Sequence, residues 1–242
     1  MQSPPAQTPS GVLLIDKATD MTSHDVVAIA RRSLNIKKIG HCGTLDPMAT
    51  GLLILVIGKA TKLQDLLMAE NKTYEGTMTL GSTTTSQDKQ GDVLTTADVP
   101  AFTDQQIDDA FNEYVGAFEQ IPPMVSAIKK DGVPLYKLAR KGQTVDRPPR
   151  PVTVYDYKLS RIELPEVEFT VECSKGFYVR TYAHDMGQDL GCGAHLSALR
   201  RTKSGYFDVS RAITIDTLKN APREDLYNSM ISLAELSIMR GA

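Results

Sequence analysis

Three cysteines, Cys42, Cys173 and Cys192, are scattered through 242 residues. Their odd number, wide spacing and lack of a C-x-x-C pair argue against a disulfide framework, so a reducing cytoplasm is the expected setting. His24, His41, His184 and His195 show no metal-ligand spacing with those cysteines, and no metal site is expected. Long apolar runs are also missing. The longest, residues 52–57, is far too short to cross a bilayer, and no membrane association is expected. Residues 1–10 are rich in Pro, Gln and Ser instead of the basic and apolar residues of a signal peptide, and read as a loose tail.

Neither sign of charge is in excess: the formal net charge is −2. Its distribution says more. Between Gln90 and Ile128 there is no Lys or Arg, while Asp92, Asp98, Asp104, Asp108, Asp109, Glu113 and Glu119 are all acidic. From Lys129 to Arg150 the balance reverses, with Lys129, Lys130, Lys137, Arg140, Lys141, Arg147 and Arg150. Smaller basic clusters are Arg31, Arg32, Lys37, Lys38 and then Arg200, Arg201, Lys203. A protein of near-neutral charge with such stretches can still hold a phosphate backbone.

The length suits one large domain or two small ones. Residues 11–16 read as a strand, and Thr22 or Ser23 caps a helix running to about Leu34. Residues 37–50 form a loop rich in Gly, Thr and Pro. A buried strand follows at 52–57, a helix at 60–70 and a half-buried strand at 73–80. Residues 81–91 are a polar loop. Thr103 caps an amphipathic helix over 104–115. Residues 122–151 are mostly irregular, with a short helix near 135–141. Strands at 152–162 and 167–173 pair antiparallel, a helix spans 177–190 until Gly191, and strands at 196–202 and 206–209 flank Ser204-Gly205. Short helices finish the chain. Few clean βαβ units occur, which favours an α+β fold with a mixed, mainly antiparallel sheet.

Two familiar phosphate and hydrolase motifs fail. Gly51 to Gly58-Lys59 has six residues between the glycines instead of four, and Ala60 stands where Ser or Thr should hold magnesium. No G-x-S-x-G elbow appears. The segment Gly40-His41-Cys42-Gly43-Thr44-Leu45-Asp46-Pro47-Met48-Ala49-Thr50-Gly51 is different. Its glycines permit close backbone approach to a ligand. Pro47 favours extended geometry just before it, which holds the Asp46 carboxylate out instead of within a helix. On local physics alone, an Asx or type I turn feeding a strand is the favoured reading.

That segment, continued by Leu52-Leu53, resembles the catalytic motif of the TruB family of tRNA pseudouridine-55 synthases. Gly11-Val12-Leu13-Leu14-Ile15-Asp16-Lys17 followed by Thr22-Ser23-His24-Asp25-Val26-Val27 is similar to the family's N-terminal block. Lys72-Thr73-Tyr74-Glu75-Gly76 resembles its tyrosine motif, and residues 83–91 its polar loop. Ile121-Pro122-Pro123-Met124-Val125-Ser126-Ala127-Ile128-Lys129 is similar to the start of its mobile RNA-gripping segment. Cys173-Ser174-Lys175-Gly176-Phe177-Tyr178-Val179-Arg180-Thr181 resembles its arginine motif, and Gly193-Ala194-His195-Leu196-Ser197-Ala198-Leu199-Arg200-Arg201-Thr202 its C-terminal catalytic block. The blocks occur in family order over residues 11–215. The chain departs from the family at Ala18 and Asp20, where Pro and Gly are usual.

The resemblance implies a catalytic domain over 11–215 of the pseudouridine synthase type, with a mainly antiparallel central sheet, flanking helices and a catalytic cleft. Residues 129–150 would be its RNA-gripping segment, and 216–242 a short helical extension too small for the PUA-type RNA-binding domain common in the family. The implied reaction converts uridine-55 in the T loop of tRNA to pseudouridine: the C1′–N1 bond breaks, the uracil turns and a C1′–C5 bond forms. This is redox-neutral, so no cofactor is expected. Asp46 would be the catalytic carboxylate, either adding to C1′ or taking the C2′ proton so that a glycal forms. Arg180 would keep that carboxylate ionised, and Tyr74 would stack on the uracil and help move the C5 proton. Tyr178 and Leu199 would wall the base pocket. His41 would fill the space left by the flipped base. Lys17 and Lys129 would contact phosphate, and Asp88 would hold the polar loop or touch RNA. The implied partner is the T arm of tRNA, met by a monomer with no obligate protein partner. A tRNA-binding folding factor without relevant chemistry is the competing reading; a glycoside-cleaving hydrolase would normally show two carboxylates.

Overall fold

The computed structural model describes residues 9–126, 128–130, 132–139 and 141–241. They group into two compact units, one taking the described residues up to Glu70 and from Arg200 onward, the other Asn71–Leu199. The strand Ala194–Ser204 contributes to both. Each unit joins helices to mainly antiparallel strands, which is the α+β class that the sequence implies.

In the first unit, Gly11–Lys17 pairs antiparallel with Thr50–Ile57, from Gly11↔Ile57 to Lys17↔Gly51. Residues 11–15 and 51–57 of these strands carry no polar side chain, as suits strands covered on both faces, and nearly every side chain is buried. Ile39–Cys42 pairs with the distal half of Thr50–Ile57. The expected loop over 37–50 therefore holds a strand, one too short for its alternation to stand out among the glycines. Val12, Leu14, Leu52, Ile54, Val56, Leu67, Phe207, Ile231 and Leu236 build one face of the core.

The helix Ser23–Leu34 starts with a full capping box: Thr22 Oγ1 accepts from the Asp25 amide, and Asp25 Oδ2 accepts from the Thr22 amide. It ends at Asn35 in the left-handed region. Its last carbonyls are reached by the C-terminal part of the chain, where Tyr227 OH donates to Leu34 O at 3.0 Å and Arg223 Nε to Ser33 O at 3.3 Å. The residues after Ile215, expected as an extension, form the helices Ile215–Asn220, Arg223–Asn228 and Leu233–Met239 and are part of this unit.

In the second unit, Lys72–Leu80, Glu166–Cys173, Arg150–Glu163 and Gly116–Gln120 follow one another as antiparallel neighbours. The helix Val179–Asp189 starts two residues later than its sequence suggests. Its Tyr182 lies within a cluster of Phe111, Tyr114, Phe169 and Phe177, with ring centroids 5.3–5.9 Å apart. Two hairpins escaped sequence reading. Ser82–Thr84 pairs with Val93–Thr96, a wholly exposed strand without a burial pattern, and Lys129–Lys130 pairs with Val133–Pro134. No described helix is long and apolar enough to cross a membrane.

One charge in this unit is held against its preference. Burial pushes the Asp185 carboxyl up to about 6, and Asp189 one turn later pushes the same way. The folded state then retains a proton that the unfolded chain has released. Stability from this group is present at low pH and is lost as pH rises through about 6. Asp185→Asn is expected to melt above the parent protein at pH 8 and to lose that advantage only below pH 3.8, as read by scanning calorimetry at both pH values.

Candidate active site

Asp46, His41 and Lys17 lie in the first unit. Tyr74, Asp88, Lys129, Tyr178, Arg180 and Leu199 lie in the second.

Asp46 stands on the connection between Ile39–Cys42 and Thr50–Ile57, partly exposed between buried Leu45 and exposed Pro47. The connection is held at both ends by one side chain. Arg201 is 1% exposed, and its guanidinium donates to Leu52 O at 2.8 Å through Nε and to Gly43 O at 3.2 Å through Nη2. Two glycines make this approach feasible. Gly43 sits at φ +81°, and Gly51, at φ +95°, faces Arg201 so closely that a Cβ would come within 2.3 Å of its carbonyl oxygen.

Asp46 is braced from the preceding motif as well. The Lys17 ammonium donates to Ala18 O and Met21 O at 2.8 Å and to Pro47 O at 3.2 Å. Lys17 is fully buried. Its expected phosphate contact is therefore corrected: its three protons are directed at three carbonyls and no surface faces RNA. Burial pulls its pKa down to about 8, while the charges of Asp46, Asp20 and Asp25 oppose that shift. Lys17 thus acts as a buried positive charge beside the Asp46 turn.

Asp20 explains the chain's departure from the family pattern. It sits at φ 60°, the left-handed region that glycine tolerates without strain, and its amide donates to Pro47 O at 2.8 Å. Aspartate keeps the turn that the motif needs. Asp20→Gly is expected to relieve about 1 kcal/mol of strain and raise the melting temperature by about 2–4 °C. A thermal melt of the variant with unchanged or lower midpoint would refute this.

His41 is half-buried, its Nδ1 has no hydrogen-bond partner among the described residues, and its ring meets His24 edge-on at 5.3 Å. Burial, then His24 and Arg201, pull its pKa down to about 4. Its ring is therefore neutral at physiological pH.

In the second unit, Arg180 lies one residue inside the helix Val179–Asp189 and is 3% exposed. Nη1 donates to Ser86 O and Nη2 to Val125 O, each at 2.7 Å, and Nε is 3.7 Å from Asp88 Oδ2. Arg180 therefore joins the polar loop to the block of residues 121–129 that precedes the basic segment. Asp88 is buried and accepts from Ser86 Oγ at 2.5 Å and Gln90 N at 3.0 Å through Oδ1. Of its two expected roles, holding the loop is the one its position permits. Tyr74 is 9% exposed in the strand Lys72–Leu80 opposite Val171, and Leu199 is 8% exposed. Tyr178, half-exposed, caps the Arg180 helix. The side chain of Lys129 lies outside the described residues.

Sequence reasoning missed three supporting residues. Gln120, 2% exposed, accepts from Tyr178 N at 2.8 Å and donates to Tyr178 O at 3.1 Å, fixing the start of that helix. Ser23 does the same to Leu45. In the sequence Arg201 figures only as part of a basic cluster and of the C-terminal block. Their local signals are weak; only an unexpected polar residue in an apolar stretch would point to them.

Comparison with known proteins matches the chain to one family. The family model described as the TruB family pseudouridylate synthase N-terminal domain matches residues 31–179. That of the tRNA pseudouridylate synthase B C-terminal domain matches 180–235. A protein of Opitutus terrae named tRNA pseudouridine synthase B is 54% identical over 227 residues, covering 94% of each chain. One of the same name from Syntrophotalea carbinolica is 48% identical over 226 residues, covering 93% of this chain and 74% of its own. Among solved structures, a chain in a Cbf5-Nop10-Gar1 complex matches with a TM-score of 0.72 and 30% identity, covering 95% of this chain. This chain spans 62% of that one's length.

Proposed function

The chain belongs to the TruB family of pseudouridine synthases, and from that premise we propose that it isomerises uridine-55 in the T loop of tRNA, with Asp46 as the reacting carboxylate. One observation supports this above the rest. In the block of residues 40–51, a partly exposed aspartate stands on a turn whose two ends, preceding residue and following residue are each hydrogen-bonded to other parts of the chain. Such fixation suits a group that must meet one carbon of a ribose in a set geometry.

The uridine must leave its stack to react. Neutral His41 fills the vacated place. Asp46 adds to C1′ or takes the C2′ proton, the C1′–N1 bond breaks, and C5 of the turned uracil closes on C1′ with loss of its proton. Tyr74 stacks on the base and assists that proton transfer. Tyr178 and Leu199 bound the pocket. Residues 129–150 grip the RNA backbone, and recognition runs through loop shape and splayed bases. The protein works as a monomer in the cytoplasm.

Tritium release tests the reaction class. With tRNA labelled at uracil C5, isomerisation sends tritium to water and leaves the base attached to RNA. Free uracil would instead mark a hydrolase, and tight tRNA binding without tritium release would mark a folding factor.

A further inference from the structure

We infer that Ser23 is a positioning residue for Asp46. This rests on the reading of Asp46 as the reacting carboxylate. Ser23 is 1% exposed. Its Oγ accepts from the Leu45 amide at 2.9 Å and donates to the Leu45 carbonyl at 3.2 Å. One hydroxyl thus serves both backbone groups of the residue immediately before Asp46, as a neighbouring strand would. Leu45 is itself buried, so its backbone has little access to water as a substitute.

The hydroxyl is held independently of the residue that it holds. Ser23 opens the helix Ser23–Leu34, whose first turn is locked by the Thr22–Asp25 capping box. On the other side of Asp46, Lys17 Nζ and the Asp20 amide both donate to Pro47 O, and Thr19 Oγ1 donates to Met48 O at 3.4 Å. The stretch 17–23 therefore grips the turn on both flanks of Asp46, and Ser23 is the grip on the preceding flank. Through the Leu45 peptide it sets the direction in which the carboxylate leaves the backbone. Misplacement by about 1 Å can slow a reaction on the order of 10²-fold. Because Ser23 is buried, it offers RNA no surface, and its loss should change the chemical step and not tRNA affinity.

The test compares Ser23→Ala, Ser23→Cys and Asp46→Asn with the parent protein. Single-turnover pseudouridine formation at saturating tRNA gives the rate, filter binding gives the tRNA Kd, and a thermal melt checks folding. Ser23→Ala is expected to react on the order of 10²-fold more slowly, with Kd changed by less than about threefold. Ser23→Cys, nearly isosteric but with a weak donor and acceptor, is expected to fold and be slowed likewise. A parental rate in folded Ser23→Ala overturns the proposal, and so does a rate loss matched by weakened tRNA binding. Should Ser23→Ala not fold, a parental rate in Ser23→Cys overturns it. Asp46→Asn separates the two ideas. If it still forms pseudouridine, the assignment of Asp46 fails and the role of Ser23 fails with it. If it is inert while the Ser23 variants stay fast, only the positioning role is lost.

Discussion

Asp46→Asn is expected to stop pseudouridine formation while the protein still folds and still binds tRNA. The substitution keeps the size and hydrogen-bonding shape of the side chain and removes its charge and basicity. Neither route open to Asp46 survives that change: an amide is a poor nucleophile toward C1′ and no base toward the C2′ proton. The loss should be on the order of 10⁴-fold in the single-turnover rate, since the group reacts directly. Folding should hold because the contacts that fix this turn run through backbone groups of Leu45, Pro47, Gly43 and Leu52. Removing the charge also takes away one of the carboxylates that favour protonated Lys17, whose pKa burial already lowers to about 8. Rate, Kd and melting temperature measured on one preparation would decide it; retained conversion would refute the role.

Arg180→Ala is expected to cost both activity and stability. A guanidinium 3% exposed donates two 2.7 Å bonds to Ser86 O and Val125 O, and faces Asp88 at 3.7 Å. Truncation strands buried carbonyls and leaves a buried carboxylate without its counter-charge, a loss of about 3–5 kcal/mol. Arg180→Lys should recover only part of this, because one ammonium cannot reproduce a planar fork spanning two carbonyls and an acid. The distances rank the contributions. The contact with Asp88 is too long for a hydrogen bond, so the carbonyl bonds carry more of the stability. Asp88→Asn is accordingly expected to be milder than Arg180→Ala, since an amide oxygen can still accept from Ser86 Oγ and Gln90 N. Urea unfolding gives the stability order and tritium release the activities. An Arg180→Ala protein as stable as its parent would contradict this reading.

Local signals proved readable where they depend on near neighbours. The helix cap at Thr22, the apolar strand Thr50–Ile57 and the alternating strand Lys72–Leu80 are each specified by residues a few positions apart. Asp46 stands out in the sequence because a block of twelve residues carries a family resemblance, and its role rests on that resemblance. The residues that hold it in place do not stand out. Ser23 meets Leu45 across 22 positions and Arg201 meets Gly43 across 158, separations at which no periodicity operates. Lys17 misled for a related reason. A lysine in a functional motif suggests a phosphate, and only the fold reveals three carbonyls converging on its ammonium. Asp20 was seen as a departure, but its left-handed backbone could not be inferred from its identity.

The most direct test of the central claim is to map pseudouridine, position by position, in unmodified tRNA incubated with the protein and with Asp46→Asn. The account predicts a new pseudouridine at position 55 with the parent protein and none with the variant. Modification confined to other uridines, or equal conversion by both proteins, would contradict it.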